Sequence, residues 1–370
     1  MKYCLLFILL FANFAYAEDC RKAAESVAEG VALADGSAQE ASHYEAAISH
    51  CPSMANAYYN LGLNNLRSGK FSKAVGNFSK AIEKKKDEIY YIGLGNAYVN
   101  LGKYAEAKSA YDEAISLNPK SIFAYQGLSV IYEAQDDLAN AQAVLRKAIS
   151  FNDKEAELHY NLGVVLLHSG NFDDSIESLT TASELKSDFA KAYLYLGKAY
   201  SKTGQLDAAE ENLKKAQFLA PKEIEIFVAL GNIYDTQGDI EKAVAIMREG
   251  LAVDPSHAAL GVNYAIVLAK QKKLEESIDQ LKKVVTASPN DAAAYGALGW
   301  VYIKQEAYDK ARSAIVRAIE LDPKNAFAHN NLGVLEEIAG RQDKAKEEFE
   351  KATSLDSTLK EAKENLKRLS

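Results

Sequence analysis

Three lysines stand at spacings that bring their charges together on one helix. Lys191 and Lys198 are seven residues apart, and Lys202 follows four residues later. Residues at these intervals lie on the same face of an α-helix, so the three ammonium groups would form a cationic surface that suits an acidic ligand. The alternative is a solvated charged face, in which acidic residues such as Glu157 or Asp235 pair with the lysines. The sequence leaves both interpretations open.

Residues for catalysis or metal binding do not form a recognisable set in this sequence. The six histidines are scattered, and neither a Gly-x-Ser-x-Gly nucleophile motif nor a His-Glu-x-x-His metal motif is found. The segment around Lys70 lacks the upstream glycine of a phosphate-binding loop. His50 adjoins Cys51, but no further Cys or His follows at a spacing that suits zinc. We therefore predict a protein that is not an enzyme and binds no metal or cofactor.

The elements that would position the lysines come from a short pattern that repeats along most of the chain. An aromatic residue is followed by two residues, Leu, Gly, two more residues and a second aromatic residue, as in YIGLGNAY and FVALGNIY. A fixed period of this size indicates a stacked array of repeats. After a first step of 33 residues, the small residue at the centre recurs every 34 residues, at Gly62, Gly95, Ser129, Gly163, Gly197, Gly231, Ala265, Gly299 and Gly333.

Each repeat contains the apolar stripes of two amphipathic helices. With the small residue numbered as position 8, positions 4, 7 and 11 are mostly aromatic or Leu and form one apolar face. His159 and His329 occupy position 4, so we predict that they pack in the core. Position 15 is glycine in six repeats, which suits a left-handed helix end. The seventh repeat has Lys272 there, and we expect a local bend or a softer joint. Small residues at position 20 and a large one at position 24 mark the second helix.

These positions closely resemble the tetratricopeptide repeat family over most of the chain, although the family's usual Trp at position 4 is mostly Tyr here. The resemblance implies an all-α fold, an α-solenoid of antiparallel helix pairs stacked into a right-handed superhelix. Because the repeats use nearly all of the chain after its first residues, we expect no room for a catalytic domain. About nine full repeats fill residues 55–359, at 55–87, 88–121, 122–155, 156–189, 190–223, 224–257, 258–291, 292–325 and 326–359.

By the same resemblance, the first helices line a concave groove with positions 2, 5, 6, 9, 12 and 13, which we call the groove positions. Asparagines recur at two of them, and amides that both donate and accept can hold an extended peptide backbone whatever its sequence. Gly93 and Gly127 interrupt this row, and Trp300 suits either an interface anchor or a packing residue. The predicted partner-binding residues are Tyr59, Asn60, Asn96, Tyr160, Asn161, His168, Lys191, Tyr195, Lys198, Lys202, Asn232, Asn263, Trp300 and Asn331.

Residues 1–17 have the layout of a secretory signal peptide. Lys2 precedes an apolar run, and the segment AYA that ends at Ala17 suits cleavage. The run is shorter than the roughly 20 apolar residues of a membrane-spanning helix. An uncleaved anchor and a lipid anchor are the alternatives, but a lipid anchor needs a cysteine directly after the cleavage site, where Glu18 stands. We therefore predict an exported protein, either periplasmic or secreted.

The two ends of the array are predicted to be atypical. Residues 18–54 are predicted to form a degenerate N-terminal helical hairpin, with Cys20 before its first helix and Cys51 at the end of its second. Since these two ends of a hairpin are neighbours and an exported compartment is oxidising, we predict a disulfide, with two free thiols as the alternative. Residues 360–370 are predicted to form a capping helix, apolar toward the last repeat and polar outward.

Composition narrows the class of partner. The formal net charge is −8 and no basic stripe is present, which argues against nucleic acid. We predict a non-enzymatic scaffold or adaptor that binds an extended peptide or a partner protein in its groove, in envelope assembly. The alternatives are a targeting subunit of an envelope-modifying enzyme and a self-associating structural protein. The polar outer face of the last helix favours a monomer.

Overall fold

The computed structural model describes residues 19–369, and every regular element within them is an α-helix. The all-α prediction is therefore confirmed, whereas the predicted signal peptide lies outside the described residues. The helices are α1 (19–33), α2 (Ala38–His50), α3 (Ala55–Arg67), α4 (Phe71–Lys84), α5 (Glu88–Asn100), α6 (Tyr104–Leu117), α7 (Ile122–Ala134), α8 (Leu138–Ile149), α9 (Ala156–His168), α10 (Phe172–Leu185), α11 (Ala190–Lys202), α12 (Leu206–Leu219), α13 (Ile224–Gln237), α14 (Ile240–Val253), α15 (Ala258–Lys270), α16 (Leu274–Ala287), α17 (Ala292–Lys304), α18 (Tyr308–Leu321), α19 (Ala326–Ile338), α20 (Gln342–Leu355) and α21 (Lys360–Leu369).

The chain reverses direction within each repeat at position 15. Glycines there take a left-handed conformation, with φ of 69° at Gly102 and 79° at Gly238. Asp136, Lys272 and Glu306 take the same conformation, with φ of 58°, 64° and 61°, although a Cβ makes it unfavourable. The seventh repeat, for which we expect a local bend or a softer joint, therefore keeps the chain reversal at Lys272.

The chain divides into two compact units. The first ends at Lys186 and contains α1 to α10, and the second begins at Ser187 and contains α11 to α21. In each unit, the two helices of a repeat pack against each other, and the second helix of one repeat packs against the first helix of the next. Each unit is therefore an α-solenoid, because every repeat covers the apolar face of its neighbour.

Helix pairs approach closely because position 8 is small where position 24 is large. A Cβ added to Gly197 would lie within 3.0 Å of Leu213, and a Cβ added to Gly163 would come equally close to Leu179. Both leucines are buried, so the small residue leaves the space that the large side chain fills. The alternation of small and large residues in the sequence is therefore a packing requirement.

At position 4, Tyr125, His159 and His329 each join their repeat to the loop before it through a polar atom. The Tyr125 hydroxyl donates to the carbonyl oxygen of Pro119 at 3.2 Å, and His329 Nε2 lies 3.1 Å from the carbonyl oxygen of Pro323. His159 Nε2 lies 2.8 Å from the carbonyl oxygen of Asp153 in the same way. The histidines at position 4 thus satisfy loop carbonyls, which is a structural role.

The N-terminal hairpin is closed by a disulfide and fixed to the array by polar contacts. Cys20 and Cys51 form a disulfide that links the start of α1 to the end of α2. Glu40 is fully buried, and its carboxylate accepts from Gly36 N at 2.7 Å and from the Arg67 guanidinium on α3. The degenerate hairpin is therefore anchored to the first full repeat through an ion pair between the buried Glu40 carboxylate and the exposed Arg67.

The C-terminal end of the array is held by non-covalent contacts alone in the described residues. On α21, Ala362 is fully buried and the Asn365 amide donates to Asn330 at 2.9 Å. Arg368 forms an ion pair with Glu337 on α19. The last helix therefore packs on the last repeat through the buried Ala362 and a polar edge.

Candidate functional site

The three lysines of α11 form a surface that we call the lysine face, composed of Lys191, Lys198 and Lys202. Lys198 Nζ lies 2.8 Å from the Glu225 carboxylate on α13 and 4.5 Å from the ring centroid of Tyr195. Lys191 and Lys202 are exposed. One of the three charges is therefore already matched by an acid.

Within the second unit, the sequence suggested Asp235 as a partner for the lysines, but Lys198 pairs with Glu225. Asp235 pairs instead with Lys270, with its two carboxylate oxygens 2.6 Å from the ammonium nitrogen. Glu225 lies 27 residues after Lys198, so only the stacking of α11 and α13 shows the pairing. Net positive charge on the lysine face thus comes from Lys191 and Lys202.

The asparagines of the predicted row differ in burial and in hydrogen bonding. Asn331 is buried, and its amide lies 3.4 Å from the carbonyl oxygen of Gly296, so it joins two first helices. The Asn263 amide donates to Asn232 Oδ1 at 3.0 Å on the surface of the second unit. Asn60 and Asn161 are half-buried, and neither side chain has a hydrogen bond within residues 19–369. The second-unit asparagines thus bond to one another or to the backbone, whereas two first-unit amides remain available.

The predicted aromatic residues are largely packing residues. Tyr59 lies between Phe78 and Tyr90, with ring centroids 5.8 Å and 5.1 Å away. Burial raises the pKa of its hydroxyl, which is consistent with a mainly apolar surrounding. Trp300 packs against the core of the second unit, and Lys304 Nζ lies 4.7 Å from its ring centroid.

Of the remaining predicted residues, His168 is exposed in the last turn of α9, whereas Tyr160 and Tyr195 are half-buried on α9 and α11. The structure brings Tyr195 and Lys198 together on α11. It also places Asn96 and Asn161 on the wall of one cavity.

That cavity has a volume of about 450 Å³, lies in the first unit and is lined by residues of α3, α5, α6, α7 and α9. Two of its apolar side chains are largely exposed, Phe123 by 69% and Val130 by 50%. Apolar groups that remain this exposed beside a concave surface are typical of a binding site. We call it the Phe123 cavity, and its walls contain Leu66, Ile92, Asn96, Val99, Asn100, Tyr111, Phe123, Gln126, Gly127, Ser129, Val130, Glu133 and Asn161.

The ring of Tyr111 can pack on the wall of the Phe123 cavity because glycine occupies position 6 of the third repeat. The ring of Tyr111 lies between Gly95 and Gly127, and a Cβ on Gly127 would come within 3.0 Å of three ring atoms. The Tyr111 hydroxyl donates to Asn96 Oδ1 at 2.6 Å, which fixes the amide and leaves its NH₂ group as a donor. Gly127, one of the glycines that interrupt the asparagine row, therefore makes space for the tyrosine that orients Asn96.

Glu133 places one acidic group on the wall of the cavity, and the predicted site did not include it. Burial raises the pKa of its carboxyl above the ordinary value. The sequence does contain a signal for it, because position 12 is apolar in the neighbouring repeats, at Leu66, Val99 and Leu167. A charged residue at a position that is apolar in the other full repeats of the first unit was the feature to follow.

No group of three or more His, Cys, Asp or Glu side chains within residues 19–369 is placed to hold a metal ion. Over the same residues, none of the helices combines the length and the apolar character needed to cross a bilayer.

The repeats match known family models along most of the chain. The model described as the C-terminal domain of cilia and flagella-associated protein 70 matches residues 17–249, which is more than half of the 370 residues. Tetratricopeptide repeat models match residues 236–301, 268–333 and 328–359. The chain belongs to the tetratricopeptide repeat family, whose members bind protein partners and are typically not catalytic.

Two curated proteins resemble short parts of this chain. Superkiller protein 3 of Schizosaccharomyces pombe is 32% identical over 77 residues, and anaphase-promoting complex subunit 6 of Arabidopsis thaliana is 33% identical over 91 residues. These matches cover 19% and 23% of this chain but only 6% and 17% of the two relatives.

Solved structures show the same fold. A tetratricopeptide repeat protein from Parabacteroides merdae is 18% identical, with a TM-score of 0.59 over 68% of this chain and 99% of its own. A chain of the APC/C hetero-tetramer Cut9-Hcn1 is 13% identical, with a TM-score of 0.55 over 97% of this chain and 87% of its own. At these identities the likeness shows the α-solenoid fold alone.

Proposed function

We propose that this protein is a non-enzymatic scaffold that holds an extended segment of a partner protein against the first helices of its repeats. The observation that supports this most directly is the Phe123 cavity. It joins exposed apolar side chains, Phe123 and Val130, with amides that can bond to a peptide backbone, Asn96 and Asn161. A preformed site of this kind binds with little ordering cost to the scaffold.

A photocrosslinker at position 123 tests this proposal. We would replace Phe123 with a benzophenone amino acid in the full chain, irradiate the protein in its own exported fraction, and sequence the linked peptides. A matched control carries the same group at Phe218 on α12, which is 84% exposed on a second helix. We expect a linked partner segment from position 123 and not from position 218. Equal linkage at the two positions would contradict binding in the cavity.

The lysine face is a second proposed contact surface, because Lys191 and Lys202 are exposed beside the Lys198–Glu225 pair. Its charge suits an acidic segment of the same or another partner. A Lys191→Glu, Lys202→Glu variant would lose such a partner while its folding stays unchanged. Retention of every linked partner by this variant would remove the lysine face from the proposal.

We also propose that the protein works in an exported compartment, in envelope assembly. The signal-like residues 1–17 and the Cys20–Cys51 disulfide support this, since disulfides persist in oxidising compartments. The mass of the protein isolated from the exported fraction would test it, and we expect a chain that begins at Glu18. Isolation of an unprocessed chain from the reducing cytoplasm would contradict the proposal.

Two alternatives have separate tests. A self-associating structural protein would show a molar mass that rises with concentration in light scattering, whereas we expect a constant monomer mass. If the protein is a targeting subunit, the partners crosslinked at position 123 should include an enzyme whose catalytic activity can be measured.

A further inference from the structure

The groove positions of the first unit contain acids but neither lysine nor an unpaired arginine. On α5, α7 and α9 these eighteen positions include two carboxylates, Glu133 and Glu157, and neither lysine nor arginine. On α3 the groove positions include Arg67, and that guanidinium is paired with the buried Glu40. The surface around the Phe123 cavity is therefore apolar with a negative charge.

Glu133 lies on the same stripe of α7 as the exposed apolar residues. Phe123, Val130 and Glu133 follow at intervals of seven and three residues, so they face the same side of the helix. All three line the cavity. The Glu133 carboxylate is half-buried, and no hydrogen bond or ion pair to it is found within residues 19–369.

A half-buried carboxylate without a partner costs free energy that a cation can offset. Burial disfavours the charged form of Glu133 relative to water. An incoming ammonium or guanidinium group would bond to it in a site from which water is partly excluded, where such a bond is stronger than on an open surface. The cavity thus selects against acidic ligands and favours basic ones.

We propose that the Phe123 cavity binds an extended peptide segment in which a Lys or Arg side chain lies beside apolar side chains. The cation would contact Glu133, and the apolar side chains would contact Phe123 and Val130. The amides of Asn96 and Asn161 would bond to the peptide backbone between them. This inference rests on the proposed function and adds the chemical class of the segment.

The spacing on α7 sets the length of the segment. The ten residues from Phe123 to Glu133 correspond to about 15 Å along an α-helix. An extended chain rises by about 3.3 Å per residue, so roughly five residues span this stripe. Side chains alternate between the two faces of an extended chain, which places apolar and basic residues at every second position.

Selection from a displayed library of random twelve-residue peptides tests the inference directly. The full chain without residues 1–17 would be the target, beside a Glu133→Gln variant, which removes the charge and keeps the shape. A Glu113→Gln variant is the matched control, because Glu113 is exposed on α6, in the same unit but on a second helix. We expect the native protein and the control to enrich Lys or Arg beside apolar residues. The Glu133→Gln variant should enrich only the apolar residues.

The affinity of one recovered peptide would then test whether its basic residue contacts Glu133. We expect it to bind the Glu133→Gln variant about tenfold more weakly, and replacement of its basic residue by norleucine to cost the same factor. The two changes together should cost no more than either alone, since both remove one contact.

The outcomes separate this inference from the proposed function. Equal enrichment of basic residues on the native protein and the Glu133→Gln variant, or no basic enrichment on either, would overturn the basic segment while leaving the groove intact. Recovery of no peptides, or of peptides whose binding survives a Phe123→Asp change, would overturn peptide binding in the cavity itself.

Discussion

The two compact units use the same repeat to build different groove surfaces. In the first unit, α5, α7 and α9 place apolar side chains, amides and two carboxylates at the groove positions, and a cavity opens beside Phe123. In the second unit, the same positions include Lys191, Lys198 and Lys270, and two of these are paired with acids.

The difference begins at position 6. Glycine at Gly93 and Gly127 lets the rings of Phe78 and Tyr111 occupy the space between consecutive first helices. In the second unit this position carries a side chain in every repeat, such as Ala229. Helix pairing depends on positions 4, 8, 20 and 24, so the groove positions can change without changing the fold. The comparison teaches that site chemistry in such an array is set locally, by neighbouring repeats.

The largest expected effect concerns the difference between the N-terminal hairpin, which is closed by a disulfide, and the C-terminal helix α21, which is held by non-covalent contacts in the described residues. A Cys20→Ala, Cys51→Ala variant should lose about 4 kcal/mol of local stability, because the disulfide closes a 31-residue separation and restricts the unfolded hairpin. Hydrogen exchange of α1 and α2 would measure this loss, with α21 as the internal reference. We expect α1 to exchange as readily as α21. Adding reductant to the variant should change nothing further, and unchanged protection of α1 would contradict the prediction.

The next effect concerns the glycines that distinguish the first unit. Gly127→Ala should destabilise that unit by about 2–3 kcal/mol, because the added Cβ overlaps the buried Tyr111 ring. Gly76→Ala on α4 is the matched control, since no atom lies within 4 Å of its added Cβ. The control should stabilise by about 0.5–1 kcal/mol through helix propensity. Denaturant unfolding measures both, and equal shifts of the two variants would show that the close packing is not required.

A buried acid in the second unit should give a pH dependence of defined sign. Hydrogen bonds from Arg341 and then Arg312 lower the pKa of Glu336 to about 2. Its stabilisation should therefore be complete above the ordinary pKa of 4.5 and disappear as the pH falls toward 2. Glu336→Gln should cost about 2 kcal/mol at neutral pH, after allowance for the partly exposed guanidinium groups, and almost nothing at pH 2.

Glu133 in the first unit should show the opposite sign. Burial raises the pKa of its carboxyl, so the folded state binds the proton more tightly and loses stability as the pH rises through that pKa. Glu133→Gln should therefore raise the unfolding midpoint at neutral pH. Unfolding curves of the two variants between pH 2 and pH 7 would test the contrast, and parallel pH profiles would refute it.

The smallest effect concerns the exposed Lys198–Glu225 pair. Glu225→Gln should change stability by less than about 1 kcal/mol, because the two side chains are 32% and 56% exposed. It should also free Lys198 and strengthen binding of a labelled pentaglutamate peptide about threefold at low salt. Glu249→Gln on α14, also exposed, is the charge-matched control. Equal peptide affinity of the two variants would show that the pair does not limit the lysine face.

Much of the fold could be predicted because it depends on contacts close in sequence. Helices, turns and the pairing of α5 with α6 follow from residues within one repeat, and glycine at position 15 marks the reversal in six of the nine repeats. The site was harder to predict. Asn331 shares its position with Asn60, yet it is buried against the backbone of Gly296, 35 residues earlier.

The sequence by itself determined the family, the helical repeats, and which positions face the core. Only the tertiary structure decided which groove residues remain available for a partner. It showed Lys198 paired with Glu225, Asn96 held by Tyr111, and Glu133 on the wall of the cavity without a bond within the described residues. The physical reason is that these contacts join separate helices, some of them 27 to 35 residues apart in the chain, and the helices meet only once the repeats have stacked.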